Sequence, residues 1–99
     1  MMVYDALNRI SGSGDCGLLR EAAYAAMWAG ALNYNGSLGS TWGSGAVGGT
    51  DIELGPRAFS DPYQMALTIA HEAGHNLGLG IDLPSDNQAE RWARACVAA

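Results

Sequence analysis

The sequence predicts an α+β domain, and three observations carry the prediction. Apolar runs with helical spacing occupy residues 16–32 and 62–78. A stretch punctuated by glycines lies between them, and residues 52–55 alternate apolar and acidic side chains as a half-buried strand does. A further helical pattern closes the chain, so helices and a small sheet are segregated along the sequence rather than alternating.

The 99 residues fit a single domain, residues 1–99, and a hydrophobic content of 48% is that of a folded chain. A core of this size leaves a thin margin of stability, to which a bound metal or a crosslink would add usefully. The two leading methionines read as a start appended to a segment of a longer protein.

The first element is a short helix or turn that places Val3, Leu7 and Ile10 on one face, broken by Gly12 and Gly14. Asp15 is the expected N-cap of the run CGLLREAAYAAMWAGAL, in which Tyr24, Met27 and Trp28 read as core. Residues 33–50 carry six glycines and accommodate one or two short strands. In the strand at 52–55, Asp51 and Glu53 are expected to face solvent, and Pro56 ends the element.

Asp61 then stands as N-cap, Pro62 at the first helical position and Gln64 where a capping-box partner belongs. The helix that follows is apolar on nearly every side and should run through the core, with Gly78 as its C-terminal stop. Ser85 and Gln88 repeat the capping pattern, so a final helix is expected to begin near Asp86. Its apolar face is Ala89, Trp92, Ala93, Cys96 and Val97, with Arg91 and Arg94 outside it.

Ten acidic residues stand against five arginines with no lysine, a formal net charge of −5 that opposes binding to nucleic acid. No apolar run approaches the length of a membrane span. Cys16 and Cys96 have no CxxC spacing, so they are free thiols or, in an oxidising compartment, a bridge between two helices.

Chemistry concentrates in HEAGH, residues 71–75, which holds both histidines of the chain. Residues four apart on a helix stand one turn above each other, so the imidazoles of His71 and His75 can converge on one zinc ion. Glu72, one position round from His71, is then placed as general base on the attacking water. The pattern alone arises by chance in about one of several hundred chains this long, so its position inside a well-capped apolar helix is what gives it weight.

A catalytic zinc takes a third protein ligand and keeps an open position. The metzincin continuation xxGxxH finds Gly78 but has Ile81 where the ligand should stand, with Asp82 one place late. Glu90, at the edge of the final helix's apolar stripe, is the preferred third ligand, and Asp86 is an alternative as ligand or as an orienting carboxylate.

TDIELGPRAF, LTIAHEAGH and NQAERWA together resemble the zincin metallopeptidases of the gluzincin branch. They are similar in particular to compact metallopeptidase domains at the C-termini of bacterial Rhs and other polymorphic toxins. The resemblance spans roughly residues 50 to 98, and HExxH is its specific part. It implies a minimal zincin-like fold, with His71, His75 and Glu90 holding zinc and Glu72 as catalytic base. It also implies a polypeptide substrate, a cognate immunity or inhibitor protein, and a secreted or delivered effector domain. The strand at 52–55 would line the cleft and pair with extended substrate. Tyr63, Arg57 and Tyr34 are candidates for stabilising the transition state. The alternative is an interaction module that holds zinc for folding and captures a partner protein, which would have no need of Glu72.

Overall fold

The chain runs α1 (Met2–Asn8), α2 (Cys16–Trp28), β1 (Leu32–Tyr34), β2 (Gly43–Gly45), β3 (Ile52–Leu54), α3 (Pro62–Asn76) and α4 (Gln88–Cys96). Short 3-10 turns occupy Gly36–Leu38 and Pro56–Phe59. This computed structural model describes residues 2–38, 43–45, 49, 51–78 and 88–98. The class is mixed α+β, as expected. No described helix is long and apolar enough to cross a membrane.

Helix α3 forms where its caps dictate. Asp61 is extended (φ −164°, ψ 167°) and its carboxylate accepts the Gln64 N–H at 2.8 Å, while Pro62 needs no hydrogen-bond partner in the first turn. At the other end Gly78 adopts φ +106°, and its N–H reaches the His75 carbonyl at 2.9 Å. Between these ends, residues 65–70 and 72–75 are all buried. Helices α1, α2 and α4 and strands β2 and β3 all pack against it.

Helix α2 is shorter than its composition suggests. The helical run was expected to continue to Leu32, but it stops at Trp28. Gly30 takes φ +69°, the Gly30 N–H bonds to the Met27 carbonyl, and the Ala31 N–H reaches back to the Ala26 carbonyl at 2.8 Å. That left-handed closure releases Leu32 into β1. Trp28, expected in the core, is 75% exposed because it ends the helix beyond its packed turns. Asp15 precedes the helix without capping it through its side chain.

The sheet has the order β1-β3-β2, with β1 parallel and β2 antiparallel to β3. Ile52 and Leu54 are buried, and Glu53 points the other way to accept from the Asn35 side-chain amide. The expectation that this strand would pair with extended substrate is corrected here. Strand β3 is central, and its backbone groups are already engaged on both sides.

Helix α4 carries the expected apolar face, with Ala89, Ala93, Cys96 and Val97 buried and Arg91 and Arg94 exposed. Its first described residue is Gln88, so the start expected near Asp86 lies outside the described residues. The end of α4 is stitched to the segment after α1. The Ser11 N–H bonds to the Cys96 carbonyl at 2.8 Å, the Ala98 N–H bonds to the Arg9 carbonyl at 2.9 Å, and Ile10 bridges Val97. Cys16 and Cys96 form a disulfide with a Cα–Cα distance of 5.4 Å, which decides between the two states that the sequence allowed.

The bridge joins positions 80 residues apart. Closing so long a loop in the unfolded chain should contribute roughly 4 kcal/mol, a large share of a small domain's stability. Replacing both cysteines with serine is therefore expected to lower the urea midpoint strongly, and a reductant should do the same to the native chain. A loss below about 1 kcal/mol would mean that the crosslink does not restrict the unfolded ensemble.

Candidate metal centre

The last turns of α3 bring His71, Glu72 and His75 together. One ligand-capable atom from each lies within 4.8 Å of the others, close enough for a single ion to bridge them. The imidazole rings meet edge-on, with centroids 5.0 Å apart and an interplanar angle of 68°. Glu72 and His75 are buried, and the His71 side chain is 12% exposed. The helical offset that suggested the site is therefore realised on a buried helix whose backbone cannot shift freely.

Helix α4 reaches the site through Glu90. Its Oε1 lies 2.9 Å from Nδ1 of His71. The second carboxylate oxygen accepts from Nε of Arg94 at 2.7 Å, one turn further along α4. The sequence brought Glu90 forward as the third metal ligand. The structure brings it to an imidazole nitrogen of His71, beside the group formed by His71, Glu72 and His75. Asp82 and Asp86, the other acidic candidates, lie outside the described residues.

Strand β2 closes the site from the sheet side. A Cβ added to Gly43 would stand 2.8 Å from the Glu53 carbonyl oxygen, 2.8 Å from Cγ2 of Thr68 and 3.5 Å from Cγ of Glu72. Only glycine lets β2 lie this close to α3. Thr68 and Glu72 are consecutive on one face of α3, so β2 rests over the stem of the proposed base. Thr68 turns its hydroxyl back to the Gln64 carbonyl at 2.9 Å and presents its methyl to the strand.

Tyr34 packs edge-on against Phe59, and Tyr63 lies partly buried against the core. Arg57 is exposed. In the sequence Arg94 reads only as a charge outside the apolar face of α4, and Gly43 only as one of six glycines in residues 33–50. The i,i+4 spacing of Glu90 and Arg94 was a readable signal for the first. Gly43 had none, since it sits among many glycines and its role depends on a helix more than twenty residues away.

Two imidazoles and a carboxylate, gathered on a rigid helix and largely withdrawn from water, make a donor set compatible with a metal ion. In comparisons with known proteins, no family model, curated sequence or solved structure matches the chain.

Two outcomes are expected from this geometry. An ion held by folded α3 but not by the unfolded chain should raise the thermal midpoint, with about 2.7 kcal/mol of added stability at a hundredfold excess over the dissociation constant. A calorimetric scan with and without Zn2+ reads it. Gly43→Val should force β2 away from Thr68 and Glu72 and cost about 1–3 kcal/mol in chemical denaturation. An unchanged midpoint would show that the close approach is not needed for the fold.

Proposed function

We propose that the protein is a zinc-dependent hydrolase of polypeptide amide bonds. The observation that carries the reading is the convergence of His71, Glu72 and His75 within 4.8 Å on a buried helix. His71 and His75 would hold the ion, and their neutral imidazoles suit zinc. The ion supplies Lewis acidity toward the attacking water and the scissile carbonyl.

The chain's own part centres on Glu72. Its carboxylate takes a proton from the attacking water and delivers it to the departing amide nitrogen. Burial of that carboxylate strengthens its interactions and limits exchange with bulk solvent. Strand β2 supports a polypeptide substrate in particular. Among the described residues it is an outer strand, and it lies directly over the Glu72 stem. An extended chain added along it would pass the base, whereas one beside β3 has no place to pair.

The disulfide supports a protein that works in an oxidising compartment, hence a secreted or delivered one. An effector role with a cognate immunity or inhibitor protein rests on the family resemblance alone. In the competing reading His71 and His75 hold zinc for folding only and the domain captures a partner. That reading makes Glu72 dispensable.

Glu72→Gln separates them. Protein produced without chelators should contain stoichiometric zinc in both forms, while hydrolysis of an unfolded polypeptide such as casein falls about 10²- to 10⁴-fold in the variant. Zinc-free native protein, or full hydrolysis by Glu72→Gln, would sink the enzymatic reading.

A further inference from the structure

The contact between Glu90 and His71 assigns a role to Glu90 that differs from direct ligation. The inference rests on the metal site proposed above and concerns how that site is held. An imidazole presents its two nitrogens on opposite sides of the ring, and the partner at one nitrogen determines which tautomer the other shows to a metal. With Oε1 of Glu90 at 2.9 Å from Nδ1, the nitrogen left for an ion on His71 would be Nε2. A carboxylate engaged at Nδ1 would lie across the ring from an ion held at Nε2, out of reach of direct ligation to it. Glu90 also stands outside the group formed by His71, Glu72 and His75.

We propose that Glu90 is a positioning residue for His71 and not a metal ligand. Its Oε1 accepts the Nδ1–H of His71, fixing the ring's tautomer and orientation so that the Nε2 lone pair is presented to the ion. Arg94 completes the device. Its Nε–H donates to Oε2 at 2.7 Å, so the carboxylate is held at both oxygens and cannot turn without breaking a charge-assisted bond. The glutamate and arginine are spaced one helical turn apart on α4, and the histidine is reached across the α3–α4 interface. Helix α4 thus aims a ligand without contributing Glu90 as one.

Glu90→Gln and Glu90→Ala test the assignment in the full chain, with Zn2+ and Co2+ as probes. Glutamine keeps an oxygen that accepts Nδ1–H but is a poor zinc ligand. Positioning therefore predicts metal affinity within about threefold of native for Gln and about 10- to 100-fold weaker for Ala. The visible bands of bound Co2+ should be the same in all three proteins, because the donor set is unchanged. In metal-free native protein, nitrogen NMR should show the His71 proton on Nδ1.

Losses of about 1,000-fold or more in both variants, or altered Co2+ bands in Gln, would make Glu90 a ligand and overturn the proposal. So would a proton on Nε2 in the native apoprotein, or an Ala variant with native affinity. If Ala fails to fold by circular dichroism, Gln and the native spectrum decide. Failure of the broader reading looks different: native protein that takes up neither ion removes the metal site and this role together, whereas a ligand-like Glu90 leaves the hydrolase standing.

Discussion

Helix α3 has almost no solvent face, and the rest of the domain is arranged to cover it. Residues 65–70 and 72–75 are buried by three helices on some sides and two strands of a small sheet on the others. Small side chains make this coverage feasible, since Ala66, Ala70, Ala73 and Gly74 let neighbouring backbones approach without leaving voids. Burial also has a cost, because the helix carries a carboxylate and two imidazoles into that environment, where polar groups need partners. The convergence of α4 and β2 on the last turns of α3 supplies those surroundings. Site and core are therefore one construction.

In so small a domain the means of holding α4 matter as much as its apolar face. The disulfide and the short bridge from Ile10 to Val97 secure its C-terminal end to the region between α1 and α2. Glu90, near its start, meets His71. A covalent tie at one end and a carboxylate–imidazole contact at the other define how α4 lies across α3. What steadies the fold also steadies the histidine.

Much of this was legible because it is local. Asp61, Pro62 and Gly78 mark the limits of α3 through bonds and dihedral angles that involve only residues a few positions away. The same locality misled at α2, where alanines and leucines favour helix up to Leu32. The left-handed turn at Gly30 ends it earlier, and Trp28 is left in solvent. Alternation marks a strand at 52–55, which forms over Ile52–Leu54, yet alternation says nothing about neighbours. Only the strand order shows that β3 is enclosed and that β2 is the strand lying against Glu72.

By itself the sequence determined that His71 and His75 share one face of a helix with Glu72 beside them, because helical geometry follows from spacing and caps alone. It also singled out Glu90 from its place on an amphipathic face. The tertiary structure decided what Glu90 touches, which strand lies against Glu72, and that Cys16 meets Cys96. The physical reason is range. Glu90 and His71 are 19 residues apart and the cysteines 80, so their meetings depend on how whole elements pack, and no pattern within a single element records that.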